Sequence, residues 1–145
     1  HEPELSEMLA LAVRDPEVQD LAREAGADGI TLAGICCTAN EILMRHGVPI
    51  AGNFLQQELA LITGVVDVML ADVQCVLPAV TEQQKCFHTK IISTSPKAKF
   101  PGATHIEFHE DRALESAKEI IRAEGVRALS VRTVAERAPR AVAGD

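Results

Sequence analysis

The run Val65–Val73 reads VVDVMLADV and the run Thr89–Thr94 reads TKIIST; between them lies Leu77–Lys85, with Pro78 in its first turn. Short apolar runs of this kind read as buried strands, and Pro suits a first helical turn because no intrahelical N–H bond is lost there. Strand, helix and strand in succession make a crossover unit, which closes as a parallel pair.

The same alternation extends in both directions. Upstream, GITLAGI at 29–35 reads as a strand. Thr38 and Glu41 have the capping-box spacing for a helix that runs to Arg45 and stops at Gly47. Val48–Ala51 is a short strand, and Asn53–Gln56 opens a helix through Leu59 and Ile62 to Gly64. At the start, residues 4–14 carry apolar side chains at helical spacing. Asp15-Pro16 then supplies a cap and first position for a second helix ending at Gly26. Downstream come a loop at 95–103, a strand THIEF at 104–108 and an amphipathic helix at 111–123. The expected architecture is α/β, a mostly parallel sheet with helices on both faces. Residues 1–125 form the domain, and 126–145 form a terminal extension or linker.

At 47 % hydrophobic and 24 % charged, the 145 residues have a globular composition. A net charge of −7 argues against nucleic acid, which needs clustered Lys and Arg. No apolar run approaches the roughly 20 residues of a membrane span. With no Trp or Tyr, a base-stacking or sugar-stacking surface is disfavoured. The chain opens on His1 rather than Met, so it is expected to be a piece of something longer.

In parallel sheets, ligands sit beyond the carboxyl ends of the strands. Cys36 and Cys37 follow one such end and Cys75 follows another, so their thiols are expected at one rim of the sheet. Cys37 also precedes a helix, whose N-terminus favours an anionic thiolate. On residues alone this fits a redox thiol, a metal site or plain packing. An iron–sulfur site takes about four thiolates, so a complete one needs ligands from elsewhere. The spacing supports reduced, cytoplasmic thiols rather than disulfides.

GICCTANE at 34–41, ILMRHG at 42–47, AGNFLQQE at 51–58, DVQC at 72–75, HTK at 88–90 and STSPKAK at 93–99 together resemble the catalytic subunit of anaerobic nickel–iron carbon monoxide dehydrogenase. The resemblance covers His1 to about Ile121. It implies a Rossmann-like domain from the middle of a much longer chain. It also implies an enzyme that interconverts carbon monoxide and carbon dioxide, with water supplying the oxygen and two electrons and two protons released. The implied cofactor is a nickel–iron–sulfur C-cluster, with Cys37 and Cys75 as cysteine ligands. The implied ligand to its pendant iron is His1, in HEPELSEM. Cys36 is assigned no ligand role, and no acid/base residue of the reaction is assigned to this segment. The 4Fe-4S clusters for electron transfer lie outside it, as do the remaining cluster cysteines. An electron carrier such as ferredoxin and a homodimeric parent are the implied partners. Two alternatives stand beside this reading: a Rossmann-like scaffold or binding module without a cluster, and a hybrid-cluster (prismane) protein fragment.

The bland readings cover the other candidates. Cys86 and His88 form Cys-x-His but read as packing or support. His46 reads as a helix C-terminal residue, His105 and His109 as surface, and Lys90, Lys97 and Lys99 as a solvated face.

Overall fold

The computed structural model describes residues 3–125. Eleven elements follow one another: helices α1 (Pro3–Ala12) and α2 (Pro16–Glu24), strand β1 (Gly34–Ile35), α3 (Cys36–His46), β2 (Ile50–Gly52), α4 (Gln57–Ile62), β3 (Val68–Ala71), α5 (Ala79–Gln83), β4 (Lys90–Ser93), β5 (Thr104–His105) and α6 (Ala113–Ile120). The expected terminal extension, 126–145, lies outside the described residues.

All strand pairing among the described residues is parallel, as the crossover pattern requires. β3, β4 and β5 form one sheet in that order, with Met69 opposite Ile91, Leu70 opposite Ile92 and Ser93 opposite His105. β1 and β2 form a separate pair, Gly34 opposite Ile50. The expected single sheet is therefore two.

Alternation of side chains along β3 and β4 gives the three-stranded sheet two covered faces. Ile92 packs with Leu5, Leu9 and Ala12 of α1 and with Ala117 and Ile120 of α6, and Val68 and Leu70 border that cluster. Ile91 packs on the other face with Leu61 of α4 and Val80 of α5, bordered by Met69. Ile91 and Ile92 are both fully buried, each contributing about 1.5–3 kcal/mol of apolar transfer. This is the α/β, Rossmann-like arrangement, with helices on both faces.

Several boundaries move for local reasons. The strand expected at 29–35 is reduced to Gly34–Ile35. Upstream of it, Ile30 N–H donates to the Gln19 side chain at 3.3 Å instead of to a neighbouring strand. In THIEF only Thr104–His105 is strand, although Ile106 and Phe108 N–H still reach the carbonyls of Ser93 and Thr94. The helix expected to be capped by Thr38 begins at Cys36, because a left-handed turn at Cys36 joins strand to helix directly. The other caps are as expected. Asp15 Oδ1 accepts from Glu17 N–H at 3.0 Å, and Asn53 with Gln56 forms a capping box ahead of α4. Leu59 and Ile62 of that helix, and Leu55 in the turn before it, are exposed apolar residues.

Candidate metal centre

β1 ends at Ile35, and the chain turns at once into α3, placing Cys36 and Cys37 in the helix's first residues. β3 ends at Ala71, and the loop that follows carries Cys75. Both ends open on one cleft of about 360 Å³, counting its solvent-open mouth. Ile35, Cys36, Cys37 and Thr38 line it from one strand end; Met69–Asp72, Gln74, Cys75 and Val76 line it from the other, and Gln57 of α4 completes it. Cys37 and Cys75 thus meet at one rim of the fold, although they come from different sheets.

Gly34 makes the tight strand-to-helix turn feasible. A Cβ at this position would lie 2.4 Å from Ala39 Cα, so only glycine lets α3 approach β1 this closely. Cys36 and Cys75 have φ of 60° and 57°, and they are the only non-glycine residues with positive φ among those described. Side chains with a Cβ rarely adopt this conformation, and it concentrates at functional sites.

All four cysteines are free thiols. Cys37 is exposed, whereas Cys36 and Cys75 are half-buried. Burial pushes the Cys36 thiol above its ordinary pKa; the nearby Gln57 amide opposes the shift, and negative charge at Cys75 and Cys37 adds to it. Thiolates are soft donors suited to iron–sulfur and nickel centres, so the donor types at this rim fit such a cluster. The set is partial: among the described residues, no group of three or more His, Cys, Asp or Glu is arranged to hold a metal ion by itself. His1, the third expected ligand, lies outside the described residues.

Cys86 is exposed, and His88 is engaged elsewhere, Nε2 lying 3.1 Å from Asp67 Oδ1. His46 joins the end of α3 to α1 through Glu7 Oε1 at 2.9 Å. His105 departs from expectation: it is half-buried, with Nδ1 2.9 Å from Ser93 Oγ, because β5 packs it beside the end of β4. His109 and the three lysines are exposed.

The residue that sequence reasoning missed is Gln57. Its amide Nε2 donates to the Cys75 carbonyl, and its Oε1 accepts from Leu77 N–H at 3.1 Å. The available signal was its position four residues before Leu61, on the inward face of α4.

The sequence model of the Prismane/CO dehydrogenase family matches residues 1–132. Carbon monoxide dehydrogenase 1 of Methanosarcina mazei is 63 % identical over 122 residues, covering 84 % of this chain and 19 % of that protein. Carbon monoxide dehydrogenase 1 of Carboxydothermus hydrogenoformans is 52 % identical over 123 residues, covering 83 % of this chain and 19 % of that one. Among solved structures, the nickel-free carbon monoxide dehydrogenase of Thermococcus sp. AM4 matches with a TM-score of 0.82 and 49 % identity, covering 90 % of this chain and 20 % of that one. An acetyl-CoA synthase/carbon monoxide dehydrogenase with NiZn[Fe4S4] and NiNi[Fe4S4] clusters in its alpha subunits matches at 0.87 and 47 %, covering 94 % and 20 %. The chain spans about one fifth of the length of the curated relatives it matches.

Proposed function

Because the chain belongs to the Prismane/CO dehydrogenase family, we propose that it is the Rossmann-like segment of a nickel–iron carbon monoxide dehydrogenase that supplies Cys37 and Cys75 to the C-cluster. The observation that carries this reading is the meeting of those two cysteines at one cleft from two strand ends. His1 is the proposed third ligand from this segment. Residues 1–125 are the proposed domain and 126–145 its extension.

When bound, the cluster supplies the redox and Lewis-acid chemistry that converts carbon monoxide and water to carbon dioxide, two electrons and two protons. This chain's residues place it. Cys37, in the first turn of α3, sits where the free N–H groups and dipole of an eleven-residue helix stabilise negative charge. Cys75 meets it from a loop held against α4. Met69, Leu70 and Val76 give the cleft an apolar side that limits water around a bound cluster. The ligand set in this segment is partial, so the segment alone does not turn over; the other ligands and the 4Fe-4S clusters belong to the rest of the enzyme. Electrons leave to a carrier such as ferredoxin, and the parent enzyme is a homodimer. Four free thiols support a cytoplasmic site. Among the described residues no helix is long and apolar enough to cross a membrane.

The test is substitution in the complete enzyme that contains this segment. Cys37→Ser and Cys75→Ser each abolish nickel and iron incorporation at the C-cluster and carbon monoxide-dependent dye reduction. Normal metal content in either variant removes that residue from the ligand set.

A further inference from the structure

We propose that Gln57 is a positioning residue for the metal centre, clamping the Cys75 loop so that its thiol stands at a fixed separation from the Cys36–Cys37 turn. The proposal rests on the reading of Cys75 as a ligand and adds to it the group that holds Cys75 in place.

Gln57 is only 1 % exposed, and a buried primary amide must find partners for its polar atoms. It finds them on the loop: Nε2 donates to the Cys75 carbonyl and Oε1 accepts from Leu77 N–H. These are the two contacts that a neighbouring strand would make, offered here by one side chain to a segment beyond the end of β3. They pin the backbone from the Cys75 carbonyl to the Leu77 N–H, directly after Cys75, whose left-handed backbone is unfavourable for a residue with a Cβ and persists only when its surroundings over-determine it.

The clamp is itself anchored. A capping box from Asn53 and Gln56 fixes the chain just before α4, and Leu61, one turn after Gln57, is buried in the cluster with Val80 and Ile91. The amide therefore stands on a rigid support. It also lines the same cleft as Cys36 and Cys37, so a single side chain borders both cysteine-bearing turns. Supporting groups that orient metal ligands in this way typically change metal affinity by about 10–100-fold when removed.

The experiment uses the complete enzyme carrying Gln57→Leu and Gln57→Glu. Leucine keeps most of the volume but offers neither hydrogen bond. Glutamate keeps the acceptor for Leu77 N–H and loses the donor to the Cys75 carbonyl. Nickel and iron content is measured after loading. On metal-free protein, the rate of Cys75 alkylation and the hydrogen exchange of the Leu77, Ile91 and Ile92 amides are followed. Both variants are expected to lose about 10-fold or more in metal affinity and to alkylate faster at Cys75, with Ile91 and Ile92 still protected. Leu77 protection is lost only with leucine. Unchanged metal content and alkylation in a variant that keeps Ile91 and Ile92 protected overturns the clamp. If leucine disturbs those amides, the glutamate variant decides. Cys75→Ser run alongside separates the two readings: metal retained there refutes the ligand assignment, whereas metal lost there but kept in both Gln57 variants refutes the clamp alone.

Discussion

Cys36 and Cys75 hold the same left-handed backbone conformation, φ 60° and 57°, at two different strand ends that line one cleft. For an L-residue that conformation costs about 1–2 kcal/mol relative to the right-handed one, and glycine escapes the cost. Cys75→Gly is therefore expected to be more stable than Cys75→Ala by about 1 kcal/mol in urea unfolding of the metal-free chain. At an ordinary helix or strand position the order is reversed by roughly 0.5–1 kcal/mol. Alanine more stable than glycine at position 75 removes the claim of stored strain.

The Cys36 thiol, raised above its ordinary 9.0 chiefly by burial, should alkylate with a pH midpoint above 9.0. The linked stability follows in sign. Between 9.0 and the folded value, the folded chain keeps a proton that the unfolded chain has lost. This group's contribution is therefore complete below 9.0 and is lost as pH rises through the folded value. Cys36→Ala should flatten the alkaline fall in melting temperature. A Cys36 midpoint at or below 9.0 counts against the burial argument.

Much of this was legible in the residues. Asp15-Pro16 and Asn53–Gln56 carry local capping chemistry, which short-range hydrogen bonds enforce whatever surrounds them. VVDVMLADV and TKIIST read as buried strands because short apolar runs are what a sheet covered on both faces needs, and Ile91 and Ile92 do pack against helices on opposite faces. Thr38 misled because Cys36, in a conformation sequence rarely announces, starts the helix earlier. Strand lengths were overread at 29–35 and 104–108, where Ile30, Leu32, Ile106 and Phe108 are only half-buried and the regular ladder stops short, a tertiary outcome that periodicity does not carry. The partners of Gln57 were invisible for the same reason: they lie on a loop 18 and 20 residues away.

Asp15 joins two helices, and its pH behaviour should show it. One oxygen caps α2, and the other lies 2.7 Å from Lys118 Nζ on α6. Lys118 holds the Asp15 carboxyl below its ordinary 3.8, and Asp15 in turn holds the ammonium above its ordinary 10.5. A depressed acid stabilises fully above 3.8 and loses that contribution as pH falls through the lower folded value. A raised base stabilises fully below 10.5 and loses it as pH climbs through the higher folded value. Lys118→Met should lower the melting temperature at neutral pH and shrink the fall on both limbs, with Glu115, 3.5 Å from the same ammonium, sharing the loss. Equal melting curves for both proteins from acid to alkaline pH would show the pair contributes nothing.

Gly34 sets the approach on which the cysteine turn depends. An added Cβ would meet Ala39 Cα at 2.4 Å and Ala39 N at 2.9 Å, both backbone atoms that no rotamer change can move. Gly34→Ala must therefore push α3 away from β1, at a cost of about 1–3 kcal/mol for overpacking. Cys36 and Cys37 move with the helix, so metal incorporation in the complete enzyme should fall along with stability. Ala39→Gly removes the Ala39 Cβ, 3.1 Å from the added atom, but leaves the closer backbone contacts in place. The double variant is therefore expected to remain defective in both urea unfolding and nickel content. Full recovery on adding Ala39→Gly would show that the side chain, not the backbone approach, sets the geometry of this turn.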